Sequence, residues 1–152
     1  MTLRWILAAL HLLGLGIGLG AVVARASALR GVLDLAGVRR ALQADVWWAV
    51  AAATWIITGL LRALTGLEKG TSYYLHNHLF LTKMAALAVI LLLEIRPIRL
   101  LPRWRRALAR GEQPDTWPAT SISRTSMVQA GLVVLMVFLA TGMARGYGNG
   151  GP

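Results

Sequence analysis

The stretch LRWILAALHLLGLGIGLGAVV, residues 3–23, is the first of four long apolar segments and determines the class of the protein. An α-helix rises about 1.5 Å per residue, so a segment of this length crosses the ~30 Å hydrocarbon core of a bilayer. Three later segments, at residues 46–64, 79–95 and 126–143, are similarly apolar. The sequence therefore predicts an all-α fold, a single integral membrane four-helix bundle formed by residues 1–152.

The composition supports a membrane protein and excludes several kinds of function. Of the 152 residues, 57% are hydrophobic and 14% charged, and the mean hydropathy of +0.60 is too high for a soluble domain. The absence of cysteine rules out disulfides, thiolate metal sites, iron–sulfur clusters and haem attached through a C-x-x-C-H motif. No Ser-His-acid set, paired carboxylate centre or phosphate-binding loop is evident, which disfavours a hydrolase or a kinase. Whether the protein is another kind of enzyme stays open.

The net charge of +10 is distributed unevenly along the chain. Loops at residues 24–44 and 96–124 hold eleven Lys and Arg residues, whereas the opposite side holds four: Arg4, Arg62, Lys69 and Arg145. Because Lys and Arg concentrate in cytoplasmic loops, this distribution predicts that both termini and the loop at residues 68–78 lie outside, which in a bacterium with two membranes is the periplasmic side of the inner membrane. Membrane topology thus accounts for the charge, and we expect a lipid bilayer partner and no nucleic acid.

Four glycines in the first segment, Gly14, Gly16, Gly18 and Gly20, form two overlapping G-x-x-x-G spacings. Small residues at this spacing allow another helix backbone to approach closely. We expect the face with Gly14 and Gly18 to make the closest helix contact, either within the bundle or with a partner chain. A homo-oligomer and a larger membrane complex both fit this pattern.

The ends of the later segments carry boundary signals. Asp45 precedes the second segment, where a carboxylate can cap a helix N-terminus. Arg96 and Pro97 follow the third segment and predict its end.

The arginine-rich stretch beyond them contains an apolar stripe, which predicts that part of this stretch lies on an anionic membrane surface. The stripe consists of Leu100, Leu101, Trp104 and Leu108. The C-terminal GYGNGGP is expected to be flexible.

The stretch EKGTSYYLHNHLFLTK, residues 68–83, holds most of the chemically versatile side chains and ends in a lysine inside the third segment. A cation at that depth must reach the interface, face the protein interior or meet an anion. On a helix with 3.6 residues per turn, Lys83 shares a face with Glu94. That face cannot comfortably meet lipid at both ends, so we expect Lys83 to point inward.

Cations outnumber acids around this stretch. Four cations, Arg62, Lys69, Lys83 and Arg145, accompany one acid, Glu68. A partly desolvated excess of positive charge is costly unless the pKa of one of these cations falls or an anion binds, and the second case predicts an outer-leaflet basic and aromatic site for an anionic ligand. The candidate ligand-binding residues are His11, Arg62, Glu68, Lys69, Tyr73, Tyr74, Asn77, Lys83 and Arg145. Simpler roles also fit, with the two tyrosines as interfacial residues and Arg62 as a partner of Glu68 or a lipid phosphate.

One pattern extends across almost the whole chain. It comprises Arg62, Glu68-Lys69-Gly70, Tyr73-Tyr74, Asn77, Phe80 and Lys83, closed by Met143-Ala144-Arg145-Gly146. This pattern resembles a family of bacterial four-helix proteins catalogued as predicted membrane proteins of unknown function, which implies four spans and no activity. More distantly, His11 and the arrangement from His78 to Lys83 resemble the HemJ-type protoporphyrinogen oxidases and the CopD-type copper-resistance proteins.

His11 is the main signal for a cofactor. An imidazole inside a span can be an axial ligand of haem, with His78, His76 or Met143 as the second ligand and the cations of the site pairing with the propionates. The simpler role for His11 is a hydrogen bond between helices.

Histidines are also the candidate metal ligands, namely His11 and His78. The spacing of His76 and His78 fits copper or zinc, although no third ligand is clear.

Two functions therefore remain open. In the first, the outer-leaflet site binds an anionic ligand, with haem or another tetrapyrrole as the most specific candidate. In the second, the protein is a noncatalytic accessory subunit whose glycine-rich first helix packs in a larger membrane complex. The sequence does not determine the substrate, the redox partner or the oligomeric state.

Overall fold

The computed structural model describes residues 2–31, 33–65 and 76–148, and this part of the chain forms four long α-helices. They are α1 (Thr2–Ala28), α2 (Leu35–Leu64), α3 (His78–Ala109) and α4 (Ala119–Ala144). Each is long and apolar enough to cross a membrane. The predicted all-α, four-helix membrane fold is therefore confirmed.

The helices pack side by side in the order α2, α1, α4, α3. Helix α1 packs along α2 and also contacts α4, α4 packs against α3, and the contact between α2 and α3 is short. The start of α1, the end of α2, the start of α3 and the end of α4 meet at one end of the bundle. We call this the termini end, because α1 begins there and α4 ends there.

Two hydrophobic clusters lie along the bundle axis. The central core consists of Ala21, Val22, Trp48, Trp55, Ala86, Ile90, Ala130, Val133 and Met136. The end core, farther from the termini end, consists of Leu29, Val38, Ala41, Leu42, Leu101, Trp104, Ala119 and Ile122. With 30 and 32 residues, α2 and α3 are at least about 45 Å long and exceed the ~30 Å hydrocarbon core. The residues of the end core lie on the helix segments that extend beyond the apolar spans, and they hold these segments together.

The N-terminus of α2 differs from the prediction. Asp34 is its N-cap, and Asp34 Oδ1 accepts a hydrogen bond from Gly37 N at 2.6 Å. Asp45, which we expected to be the cap, lies well inside the helix. The prediction was wrong because the residues before Asp45 have an apolar face, with Val38 and Leu42 buried in the end core, and this burial supports additional helical turns.

The end of α3 also differs from the prediction. The helix continues through Pro97 and Pro102 and ends at Ala109 rather than near Arg96. Proline removes one backbone donor and disfavours the α conformation of the preceding residue. Here, however, Pro97 and Leu101 are fully buried, so packing outweighs the local cost.

The apolar stripe in the second half of α3 packs inside the protein. All four residues of the stripe lie in or against the end core, with Leu101 and Trp104 buried. Protein thus covers the apolar stripe on which the expectation of membrane-surface contact depended, and contact of the arginine-rich segment with an anionic surface stays a prediction. Just past the helix, Arg110 pairs with Glu112 at 2.7 Å, and this hydrogen bond holds the pKa of the exposed Glu112 carboxyl below its usual value.

Candidate functional site

A cavity of about 350 Å³ lies among the four helices at the termini end. Its lining includes His11 from α1, Arg62 from α2 and Lys83 from α3. His11 is buried, and Arg62 and Lys83 are half-buried. Residues Thr141 and Met143 line it from α4. We call this space the termini cavity, and it brings together three of the residues predicted for the ligand site.

The face of α3 that carries Lys83 points into the bundle. Ile90 and Glu94 follow on the same face, and both are buried. Lys83 therefore lies on a face that is directed towards the other helices along much of the span.

The described lining of the termini cavity is mostly apolar and includes two basic side chains. The two basic side chains are Arg62 and Lys83, and no carboxylate occurs among the described lining residues. The apolar part of the wall comes from Leu12, Leu15, Phe80 and Val137, with small residues between them. Such a lining suits an anion with an apolar body, because cations form charge-assisted hydrogen bonds and the remaining wall offers apolar contact.

His11 is held by hydrogen bonds at both ring nitrogens. Trp55 Nε1 donates to His11 Nε2 at 3.0 Å, while His11 Nδ1 lies 3.0 Å from Thr58 Oγ1 and 3.1 Å from the Trp55 carbonyl oxygen. The indole can only donate and the carbonyl can only accept, so these contacts fit the neutral ring with its hydrogen on Nδ1. Gly59 leaves room for the ring, since a Cβ there would lie 3.1 Å from His11 Cε1. A metal could reach either nitrogen only by displacing one of these bonds.

Asn77 begins α3 and fixes the segment that follows α4. Its Oδ1 accepts hydrogen bonds from the backbone N–H groups two and three residues on, at 3.0 and 3.2 Å, as an N-cap does. Its Nδ2 donates to the Tyr147 carbonyl oxygen at 3.1 Å, and His78 N donates to the Gly148 carbonyl oxygen at 3.0 Å. Gly148 has a φ of +87°, and a Cβ there would lie 2.7 Å from Asn77 Oδ1. The segment up to Gly148 is thus docked on α3, which the expectation of a flexible tail did not anticipate.

Of the other predicted site residues, those that the structure describes are not among the lining of the termini cavity, except Met143. Four lie outside the part of the chain that the structure describes: Glu68, Lys69, Tyr73 and Tyr74. Arg145 is exposed just after α4, and His78 is exposed at the start of α3. Within residues 2–31, 33–65 and 76–148, no three or more His, Cys, Asp or Glu residues are grouped as a metal site. A metal role for His11 and His78 stays a prediction.

The glycines of α1 face two directions. A Cβ at Gly14 would lie 3.3 Å from the Ala51 carbonyl oxygen of α2, and one at Gly18 would lie 3.4 Å from Ala51 Cβ. A Cβ at Gly16 or Gly20 would have no atom within 4 Å. The structure thus places Gly14 and Gly18 against α2 and leaves the opposite face of α1 open.

A polar cluster in the interior of the bundle was not predicted from the sequence, and it is the most extensive one within the described ranges. Arg25, which we had placed in a loop, lies in the last turn of α1 and is fully buried. Its guanidinium donates to the two oxygens of Glu94 at 2.7 and 2.9 Å, and to Asp45 Oδ1 at 2.8 Å. The same guanidinium lies 5.8 Å from the centroid of the Trp48 ring.

Helix α4 completes this cluster. Arg25 Nε donates to Ser126 Oγ at 3.0 Å, and Arg25 Nη2 donates to Gln129 Oε1 at 2.8 Å. Gln129 Nε2 in turn donates to Glu94 Oε2 at 2.6 Å. We call these five residues, Arg25, Asp45, Glu94, Ser126 and Gln129, the polar layer. It connects all four helices between the central core and the end core.

Helical spacing did contain a signal for the polar layer. Arg25 follows Val22 by three residues and precedes Leu29 by four, and both neighbours are buried. Residues at these spacings share one helix face, so Arg25 belongs to the buried face if the helix continues. A first span that ends at residue 23 places Arg25 in a loop, so the sequence prediction did not include Arg25 on the buried helix face.

Comparison with known proteins adds a family. The model of a family described as predicted membrane protein, DUF2214, matches residues 3–148, a range that includes nearly all of the four helices. No curated protein and no solved structure matches the chain. The distant resemblance to HemJ-type and CopD-type proteins stays a prediction.

Proposed function

Since the chain belongs to the DUF2214 family of predicted membrane proteins, a description that names no activity, we propose a function from the site itself. The protein binds an anionic amphiphile in the termini cavity. A carboxylate or phosphate group of the ligand lies between Arg62 and Lys83, and its apolar part lies against the cavity wall.

One observation carries this proposal: Arg62 and Lys83, which come from different helices, line the same largely apolar cavity. Cationic side chains at membrane depth are costly and commonly mark ligand or ion sites. A carboxylate or phosphate can accept charge-assisted hydrogen bonds from both side chains, and the apolar wall offers contact to the rest of the ligand.

The proposal includes a location and an orientation. We infer an inner-membrane protein with both termini outside, because eleven Lys and Arg residues lie on the predicted cytoplasmic side and four on the other. The termini cavity then opens in the outer leaflet. The aromatic and charged residues at 68–74 are expected to contribute to the same site.

Haem is a less favoured occupant of this cavity. Met143 and the two cations are suitable neighbours for haem, but His11 would have to give up a hydrogen bond to Trp55 or Thr58 before an iron could bind. An absorption spectrum of gently solubilised protein separates the two ligands. A stoichiometric Soret band that is lost in His11→Ala would favour haem over the amphiphile.

The accessory-subunit alternative makes a different prediction about purification. A subunit that packs in a larger complex should co-purify with defined membrane partners under mild solubilisation. The open glycine face of α1 is the surface that such a partner would use.

The decisive test compares cis-parinaric acid with its methyl ester. We expect the full chain in neutral detergent to bind the acid more tightly, because only the acid carries a charge. Lys83→Met and Arg62→Met should each weaken acid binding roughly tenfold or more, as expected for loss of a hydrogen bond to a charged group. Their effects should be nonadditive, because both side chains contact one ligand.

Arg4→Met is the matched control. Arg4 is an exposed cation on the same half of α1 as His11, but it does not line the cavity. Equal binding of acid and ester, or acid binding unchanged in both cavity variants, would show that the cavity is not an anion site.

A further inference from the structure

A second cavity lies between the last half of α1 and the first half of α2, at the opposite end of the bundle from the termini cavity. Its volume is about 720 Å³, and it is open along one side. We call it the α1/α2 groove. It shares no lining residue with the termini cavity, so it is a separate feature.

One end of the α1/α2 groove is apolar and lies within the first membrane span. Ile17, Gly20, Ala21 and Ala24 form this part of its wall. A Cβ at Gly20 would meet no atom within 4 Å, so the groove has unfilled width at that level. An acyl chain could lie there without displacing a side chain.

The other end of the groove is polar and cationic. Arg30 and Arg40 line it from the two helices, and Gln43 lies beside them. Both arginines are exposed, and the ion pairs found within the described ranges do not include them. Among the lining residues that the structure describes, the only acid is Asp34, whose Oδ1 already accepts a hydrogen bond from Gly37 N as the cap of α2.

Trp47 lines the groove from α2 and is 54% exposed. Exposed tryptophans concentrate at the level of lipid headgroups. The groove thus combines an apolar part, an exposed tryptophan and a cationic end, as a phospholipid combines an acyl chain with a charged phosphate.

We propose that the α1/α2 groove binds an anionic phospholipid, with the phosphate between Arg30 and Arg40 and one acyl chain along Gly20 and Ala24. Charge complementarity favours this occupant over a second copy of the chain. A parallel copy would bring its own arginine-rich side to the same membrane level, where like charges repel.

The test uses native mass spectrometry of the full chain in neutral detergent, with phosphatidylglycerol and phosphatidylcholine of identical acyl chains as probes. We expect phosphatidylglycerol to be retained preferentially. Arg30→Gln and Arg40→Gln should each lower its affinity roughly fivefold, the effect of one Lys or Arg near an anionic lipid surface. Gly20→Leu should lower retention of both lipids, because its side chain fills the acyl part of the groove.

The control is the pair Arg99→Gln and Arg103→Gln, which removes two exposed arginines of α3 that do not line the groove. Unchanged lipid selectivity in this pair supports the proposal. Equal retention of the two lipids would overturn it, as would a loss of selectivity only in the α3 pair. A dimer that Gly20→Leu dissociates would also overturn it, because a second copy would then occupy the groove.

Discussion

Replacement of Arg25 by methionine should be among the most destabilising single changes in the bundle. Methionine fills a similar length with apolar atoms but removes the only cation of the polar layer. Two carboxylates, Glu94 and Asp45, then remain without the guanidinium that binds them at 2.7 to 2.9 Å. Removing one partner of a buried ion pair costs about 3–5 kcal/mol. Because Arg25 also donates to Ser126 and Gln129, we expect a loss near the upper end of that range.

The measurement is the free energy of unfolding in neutral detergent, followed by tryptophan fluorescence, which Trp48 beside Arg25 makes sensitive to this region. Arg99→Met is the control, because it removes an exposed arginine. The double variant Arg25→Met/Glu94→Met should be more stable than Arg25→Met alone, since it removes an unpaired buried charge. Arg25→Met within about 1 kcal/mol of the control, or strictly additive effects in the double variant, would refute the reasoning.

Two further predictions concern packing and topology. Gly14→Leu should reduce the free energy of unfolding by about 1–3 kcal/mol, because the side chain would displace the α2 backbone. The control Gly16→Leu lies on the open face of α1 and should be tolerated. Equal effects of the two variants would show that the close approach to α2 does not contribute to stability. In the cysteine-free chain, a membrane-impermeant maleimide added from outside should label His76→Cys and spare Arg110→Cys, and the reverse pattern would invert the proposed topology.

Hydropathy alone was sufficient to predict the four helices. An apolar segment of about 20 residues has few alternatives to a membrane helix, because the bilayer requires every backbone polar group to be paired internally. Helix ends were harder to predict, since they depend on packing between distant segments. Pro97 suggested a stop and Asp45 a start, but the end core stabilises helical turns beyond both residues.

The candidate site could be predicted only in part. Lys83, Arg62 and His11 line one cavity, and charge and span depth were enough to connect them. The contacts of Arg25 could not be read from local pattern, because its partners in α3 and α4 lie 69 to 104 residues away in the chain. Asn77 was predicted as a ligand residue, yet its side chain is occupied in capping α3 and holding Tyr147.

The polar layer has a consequence for how the protein is synthesised and inserted. Arg25 leaves the ribosome before any of its partners, and they follow in the order Asp45, Glu94, Ser126 and Gln129. A nascent chain that ends before α3 therefore holds the arginine with only one acid, and one that ends before α4 lacks two of its acceptors. We expect truncated chains to leave this part of α1 at the membrane surface, accessible to quality-control proteases. Completion of α4 then seals the bundle.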